Sequence, residues 1–562
     1  MKSKLFNRYT PLCLSAAALA TTGVGAAFGD LSVGWTLLPL AATGLGVRDL
    51  LQDRHSILRN YPLLGHLRYA FESIRTEMRQ YFIEGDDEER PFSRAQRSLV
   101  YQRAKGEQDA VAFGTKKAVR EVGHEWLGHS MTPSRIASHD FRVLVGAERA
   151  KPYEMSIFNI SAMSFGALSA NAIRALNSGA KRGGFAHDTG EGSLSKYHRE
   201  HGGDIIWEIG SGYFGCRKPD GSFDPVAFAE VAGEAQVKMI ELKLSQGAKP
   251  GHGGVLPGPK VTPEIAEARR VPVGQDCISP ANHSEFSTPV ELLHFIDRLR
   301  NLSGGKPTGF KLCVGHPWEF MGIAKAMLET GIVPDFIVVD GAEGGTGAAP
   351  LEFADNMGAP LQEGLLLVHN TLVGIGLRDR IKIGASGKIV TAFDIARTMA
   401  LGADWVNSAR GFMFAVGCIQ AQTCHTGRCP TGVATQDADR QRALVVPDKA
   451  ERVYNFHRNT LEALKELLQA AGLQTPAQLG PRHIVRRVAS DRVEVLGNLL
   501  DFLDTGDLVE GRLRFPVFET FWPLASSQSF SLAEGDAAPR ASAPRPVFWM
   551  RQDGSTGSAP TK

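Results

Sequence analysis

From Pro152 onward the chain alternates short apolar runs, most of them closed by glycine or a polar residue, with longer stretches of helical periodicity. No other feature restricts the fold as much. The runs fall at 158–161, 184–187, 239–243, 275–279, 309–314, 335–339, 380–383 and 405–408, and helical stretches intervene at 167–180, 289–300, 317–331, 362–376 and 391–401. Eight parallel strands separated by helices predict a (β/α)8 TIM barrel. A doubly wound sheet is the competing architecture, but no G-x-G-x-x-G follows a strand and opens a helix, so the dinucleotide fingerprint is missing. In a barrel the chemistry gathers at the C-terminal ends of the strands, and those ends carry the informative residues.

After the first run, small residues around Ala162, Met163 and Ser164 let a flat ligand lie against the backbone. After the second, Asp188-Thr189-Gly190-Glu191-Gly192 holds carboxylates among glycines. The run 239–243 carries Glu241 and Lys243, which alternation places on one face, the barrel interior. Charges there are expensive unless paired or functional. Lys311, between Phe310 and Leu312, is a further inward cation. Later runs end in Asp340 and a turn with Gly344, Gly345 and Thr346, then in Gly384, Ser386 and Gly387, and last in Ala409, Arg410 and Gly411. The final two turns are where barrels most often bind phosphate through accessible backbone N–H groups. Any one glycine turn is equally a tight loop. Several around one rim, with Lys311 inward, predict a phosphate-bearing ligand.

Just past the last run, GCIQAQTCHTGRCPTGVATQ places Cys418, Cys424 and Cys429 in a C-x5-C-x4-C spacing followed by Pro430. Thiolates converging on one centre before a proline suit an iron–sulfur cluster. Zinc usually takes four ligands from closer cysteine pairs, and only His425 is near enough to be a fourth. Three inert thiols are the remaining reading. The other four cysteines are scattered, so the seven do not form a disulfide framework, and a reducing, cytoplasmic environment is expected for the bulk of the chain.

The N-terminus differs in kind. Stretches 11–28 and 31–47 hold no charge; Lys2, Lys4 and Arg8 precede them, and Arg48, Arg54 and Arg59 follow. Each approaches the roughly 20 apolar residues that cross a bilayer. Basic residues at both ends predict a two-helix hairpin in the inner membrane, with the catalytic part in the cytoplasm. A cleaved signal peptide is the rival reading, and it leaves the second stretch unexplained. The expected organisation is the hairpin at 1–47, a juxtamembrane helical and linker region at 48–151, the barrel at 152–440, a helical extension at 441–531 and a disordered tail at 532–562. GHEWLGH (123–129) spaces its histidines one residue too far apart for a zinc protease and reads as a loop. A formal net charge of +2, with no basic run interleaved with aromatics, argues against nucleic acid.

Several motifs resemble the synthase domain of glutamate synthase: ISAMSFGALS (160–169), TGEG (189–192), QGAKPG (246–251), GGTGAAP (344–350) and the cysteine stretch. The likeness spans about half of the chain, and the whole resembles the stand-alone FMN-binding glutamate synthase-like proteins. The resemblance implies a barrel that holds FMN and a 3Fe–4S cluster and reduces the imine of 2-oxoglutarate and ammonia to L-glutamate. It implies Cys418, Cys424 and Cys429 as cluster ligands. Ala162, Met163, Ser164, Glu241 and Lys311 match flavin-contacting positions, and the turns at Gly384–Gly387 and Ala409–Gly411 form the phosphate cradle. Lys249 and Arg269 match the cations that hold the two carboxylates of 2-oxoglutarate. Glu191 matches the acidic residue near the reaction centre, with Lys243 beside it. Two positions depart from the family loop: His252 stands where a Glu is common, and Val255 where a Gln contacts the substrate. Neither a glutaminase domain nor a C-terminal β-helix domain is recognisable. Ammonia is therefore expected from solution or a partner subunit, and electrons from an external donor: ferredoxin, a reductase subunit or a membrane partner.

The alternatives are a flavin-dependent amino-acid or amine oxidoreductase with another substrate, motivated by the altered loop, and a membrane-anchored electron-transfer subunit. The second would keep the cysteines but not need Lys249 and Arg269, which are present.

Overall fold

A computed structural model of the chain describes residues 7–532 except 89, 90, 111 and 348. It divides into two compact units, Met1–Asp86 and Asp87–Lys562. The expected tail, and Lys2 and Lys4, lie outside the described residues, apart from the tail's first residue.

The first unit contains the two apolar helices, α1 (Thr10–Ala27) and α2 (Gly34–Leu51). Among the described residues, only α1 is long and apolar enough to cross a membrane. The second helix falls short for a local reason. It starts at Gly34 and runs beyond the uncharged stretch into Arg48 and Asp49, with Pro39 inside it. Asp49 is buried and accepts hydrogen bonds from the Leu63 N–H (3.1 Å) and the His66 ring (2.9 Å).

The second unit is built on a closed barrel of eight parallel strands in sequence order. They are β1 (Phe158–Ile160), β2 (His187–Asp188), β3 (Ile205–Ile209), β4 (Val237–Lys243), β5 (Thr308–Leu312), β6 (Phe336–Asp340), β7 (Lys382–Ser386) and β8 (Trp405–Ser408). Closure comes from Val406 beside Phe158. The strands are buried on both faces, as parallel strands under a helical layer must be. The helices are delimited locally. Ser169 caps Ala170–Gly183 by accepting from the Ala172 N–H, and Thr288 and Glu291 form a capping box ahead of Pro289–Leu302.

Two strand expectations are corrected. Run 275–279 is not a barrel strand. Cys277–Ile278 pairs antiparallel with Val255–Leu256 in a small sheet outside the barrel. The missing strand is β3, whose sequence IIWEI is apolar on both sides of a single Glu. Two further segments also differ. Glu125–Leu127, expected as loop, is a strand because Ile484–Arg487 pairs with it. Ile484–Arg487 is itself extended rather than helical.

The 25-residue helix Val446–Ala470 lies against Ala170–Gly183 and Arg94–Lys105 and closes the outer layer. Gly179 permits the first contact: a Cβ there would fall 2.5 Å from Val453 Cγ1.

Candidate active site

The strand ends open on a cavity of about 560 Å³, within the roughly 300–1,000 Å³ that small-ligand sites occupy. Its wall includes Ala162, Met163, Ser164, Glu191, Lys243, Lys249, Arg269, Lys311, Gly344, Gly345, Thr346, Ser386, Gly387, Ala409, Arg410, Cys418 and Cys424. Three expected residues are not in the wall. Gly384 lies within β7, and a Cβ there would meet the Trp405 ring at 2.5 Å, so this glycine serves packing. Glu241 is fully buried beneath the cavity, and Cys429 is buried behind it.

The floor is a buried charge cluster. Carboxylate oxygens of Asp188, Glu208 and Glu241 lie within 4.8 Å of one another. Lys311 enters among them: its Nζ is ion-paired with Glu208 and stands 3.4 Å from Glu241 Oε1. Register explains the meeting, because Glu208 on β3 aligns with Glu241 on β4. Burial first, then the Asp188 and Asp340 carboxylates, push Glu241 well above the usual carboxylate range. Burial also raises Asp188, against the pull of Lys311. Among the described residues neither oxygen of Glu241 has a hydrogen-bond partner, and the Lys311 ammonium is the cation beside it. Three carboxylates thus share one buried cation at the base of the cavity. Glu208 was not among the sequence candidates, and Asp188 was noted only as part of its glycine turn. Glu208 went unseen with its strand, although a lone Glu in an apolar run is the same signal that identified Lys311.

One side of the cavity is cationic. Lys243 Nζ lies 3.1 Å from Glu191 Oε2, and the Ser279 hydroxyl donates to the same oxygen at 3.4 Å. Burial raises the Glu191 pKa, but Lys243, Arg269 and Lys249 outweigh it and hold the carboxyl down to about 2. Lys249 Nζ donates to the Gly253 carbonyl at 3.2 Å, and burial lowers its pKa. The Arg269 guanidinium is nearly enclosed. It donates to the Phe165 carbonyl at 3.1 Å, lies 3.6 Å from Cys277 Sγ and stacks over Phe214. Three cations thus surround one carboxylate. The small sheet outside the barrel covers this end with Val255, Leu256, Cys277 and Ser279, whereas His252 points away toward Phe353. Gly190, with φ +61°, turns the chain against the Ala162–Ser164 arc, where a Cβ would sit 2.8 Å from the Ser164 nitrogen.

On the opposite side, Gly387, Lys388, Ala409 and Arg410 form a polar rim. Arg410 donates to the Gly345 carbonyl at 3.0 Å and so ties two of the rim turns together. Asn407 lines the cavity with its buried Oδ1 unpartnered among the described residues, an acceptor aimed at whatever occupies the space.

Beyond the rim the cysteine stretch wraps inward. Gln420 and Gln422 both adopt φ +57°, a left-handed backbone rare for non-glycine residues. Tyr101 anchors the loop by donating to the Cys418 carbonyl at 2.7 Å. Burial raises the Cys429 thiol, but the Thr431 hydroxyl and the N–H groups of Ala434, Thr431 and Val433 outweigh it and lower the pKa. Cys418, more deeply buried, is raised by burial, and the charges of Cys424 and Cys429 add to this. The three sulfurs therefore sense one another.

Fold and rim together define a (β/α)8 barrel enzyme with a cationic, covered pocket at one end of its cavity and a thiol-lined loop beside it. A family model described as a conserved region in glutamate synthase matches residues 135–474. Glutamate synthase large subunit-like protein YerD of Bacillus subtilis (strain 168) is 40% identical over 496 residues, covering 81% of this chain and 94% of that protein. The archaeal-type glutamate synthase (NADPH) of Thermotoga neapolitana is 36% identical over 337 residues, or 60% of this chain and 63% of that enzyme. The archaeal glutamate synthase (NADPH) of Methanocaldococcus jannaschii is 37% identical over 342 residues, 60% and 64% respectively. The chain therefore spans nearly all of the first relative and under two-thirds of the other two. The chain belongs to the glutamate synthase family and is a glutamate synthase-like oxidoreductase of the class acting on CH–NH2 donors.

Proposed function

We propose that the barrel binds FMN and an iron–sulfur cluster of 3Fe–4S type and reduces the imine formed from 2-oxoglutarate and ammonia to L-glutamate. The carrying observation is the group of Lys243, Lys249 and Arg269 around a single carboxylate in a covered pocket, a charge pattern complementary to a dicarboxylate.

The residues present fit FMN. The Ala162–Ser164 backbone offers a flat wall, Lys311 a cation from below, and Asn407 Oδ1 a buried acceptor in need of a donor. The turns at Ser386–Lys388 and Ala409–Arg410 would hold its phosphate. The thiols fit a cluster better than a single zinc ion. Structural zinc usually takes four ligands from closer cysteine pairs, whereas this stretch offers three thiols in a C-x5-C-x4-C spacing. When bound, FMN supplies hydride transfer and the cluster single-electron entry.

The chain's own groups supply the rest. Lys249 and Arg269 grip the two carboxylates and orient the imine carbon. Glu191, ionised at neutral pH, stabilises the positive charge of the iminium. Lys243 Nζ, held at Glu191, hands a proton to the departing oxygen when the iminium forms. Leu256 and the buried Cys277 of the small sheet shield this end of the cavity. Electrons come from an external donor, ammonia from solution or a partner subunit, and the N-terminal helices attach the protein to the cytoplasmic membrane.

Val255 in the cavity wall, where the family loop commonly carries Gln, supports a second reading: the same chemistry on a less polar oxo acid or amine.

The test is anaerobic purification, then reduction of the bound flavin and addition of 2-oxoglutarate with ammonium. Reoxidation with stoichiometric glutamate is expected. Flavin that stays reduced would leave only the second reading, and a colourless protein without iron would end both. In Cys424→Ser the cluster signal should be lost while FMN is retained.

A further inference from the structure

We propose that His283 and Tyr213 are positioning residues for Lys243: a hydrogen-bond relay runs from the Tyr213 hydroxyl through the His283 ring to the Lys243 carbonyl, fixes the end of β4 and so holds the Lys243 ammonium at Glu191. This role rests on the reading of Lys243 as the group that hands a proton to the departing oxygen. It adds two residues that do not line the cavity.

The strands create the need for the relay. Lys243 is the last residue of β4. The Leu244 N–H donates to the Lys311 carbonyl on β5 at 2.9 Å. The carbonyl of the same peptide, that of Lys243, therefore points the opposite way, towards β3. The paired residues of β3 and β4 end at Ile209 and Leu242. The Lys243 carbonyl thus lies one position past the ladder, where a backbone acceptor left without a donor costs free energy. After Ile209 the chain turns through Gly210 to Tyr213, whose backbone is left-handed (φ +45°), uncommon for a bulky residue. The Ser211 hydroxyl donates to the Pro280 carbonyl and ties this turn to the loop that carries His283.

His283 supplies the donor. Its Nε2 lies 2.9 Å from the Lys243 carbonyl oxygen, and its Nδ1 lies 3.1 Å from the Tyr213 hydroxyl. A carbonyl oxygen only accepts, so Nε2 carries the hydrogen. Burial keeps the ring neutral, with its pKa down to about 4, against the pull of the Lys243 carbonyl. In a neutral ring Nδ1 is then the acceptor, and the Tyr213 hydroxyl donates to it. Tyr213 accepts in turn from the Glu285 N–H at 3.4 Å. Every hydrogen bond in the relay therefore has a fixed direction. Packing holds its members: Phe286 stacks on the imidazole with ring centroids 4.9 Å apart, and Phe223 meets the buried Tyr213 ring edge-on at 5.6 Å. At the far end of the relay Lys243 Nζ stands 3.1 Å from Glu191 Oε2, the placement that such a supporting set preserves.

The experiment measures reoxidation of the reduced flavin by 2-oxoglutarate with ammonium. It also measures acetylation of Lys243 and Lys249 by acetic anhydride, read by mass spectrometry on the full chain without substrate. His283→Leu removes both hydrogen bonds of the ring. Its limiting reoxidation rate should fall about tenfold to a hundredfold, the loss that a displacement of about 1 Å produces. The half-saturating 2-oxoglutarate concentration should stay within about twofold, because Lys249 and Arg269 still hold the substrate. Lys243 should acetylate severalfold faster, and Lys249 at its wild-type rate. His283→Gln, whose amide offers a donor and an acceptor, should restore most of the rate and the slow labelling. Tyr213→Phe loses only the hydroxyl and should fall between the two, which keeps the test decisive if His283→Leu does not fold; far-UV circular dichroism is the control for folding. Wild-type rate and labelling in His283→Leu and Tyr213→Phe, equal acceleration at Lys243 and Lys249, or no recovery in folded His283→Gln would each overturn the relay. If Lys243→Met reoxidises at the wild-type rate, the proton role of Lys243 falls, and the labelling pattern by itself decides the relay.

Discussion

At the scale of single residues, the site is governed by where charge can be afforded out of water. Lys311 is the only cation inserted among Asp188, Glu208 and Glu241 among the described residues. Removing one partner of a buried ion pair typically costs about 3–5 kcal/mol. Lys311→Met should therefore lower the unfolding free energy by about 3 kcal/mol in urea titrations and reduce the FMN recovered per chain. Lys249 acts at the other end of the cavity. Charge-assisted hydrogen bonds contribute about 1.5–3 kcal/mol, so Lys249→Met should raise KM for 2-oxoglutarate roughly tenfold to a hundredfold in steady-state assays. Lys311 and Lys249 were both legible in the sequence, one as a cation inside an apolar run and the other through the QGAKPG resemblance. Glu208 was not, because a residue can be placed in a barrel interior only after its strand has been recognised.

At the scale of elements, the strands and helices of the second unit position the site by close contact. The approach of Val446–Ala470 to Ala170–Gly183 depends on the missing side chain at Gly179, where a Cβ would also lie 2.8 Å from the Ala450 carbonyl. Overpacking costs about 1–3 kcal/mol and the gain in helix propensity about 0.5–1 kcal/mol. Gly179→Ala should thus lower Tm, and a rise in Tm would show that the two helices can separate freely. Strand β3 shows why element assignment failed where it did. A five-residue run, apolar except at Glu208 and separated from the glycine pair Gly202-Gly203 only by Asp204, has no periodicity that separates it from a loop. Run 275–279, QDCIS, is apolar only at Cys277 and Ile278, and these two pair outside the barrel with Val255 and Leu256.

For the whole molecule, the buried histidines make stability depend on pH. Burial pushes His187 down to about 3, and both of its ring nitrogens lack partners among the described residues. Its neighbour His198, ring centroid 5.1 Å away, is also lowered by burial. Both are neutral in the folded chain, whereas the unfolded chain takes up protons below about pH 6.5. Stability is therefore fully present above that pH and falls as the pH drops toward 3. At about 1.4 kcal/mol per unit, His187 should account for about 1.5–2 kcal/mol of lost stability between pH 6.5 and 5, and His198 adds a loss of the same sign. Urea unfolding of the wild type and of His187→Gln at the two pH values should differ by that share.

The sequence by itself determined the barrel architecture, the glycine turns at the strand ends and the inward cation Lys311. Each depends on local periodicity or on a contiguous motif, and neither requires knowledge of distant neighbours. The tertiary structure decided which apolar runs pair within the barrel, that Glu208 joins Lys311, that Gly384 packs against Trp405 instead of lining the cavity, and that Val255 faces the pocket while His252 does not. These outcomes depend on register between strands far apart in the chain. A shift of one residue exchanges the interior and exterior faces of a strand, and only the closed barrel fixes that choice.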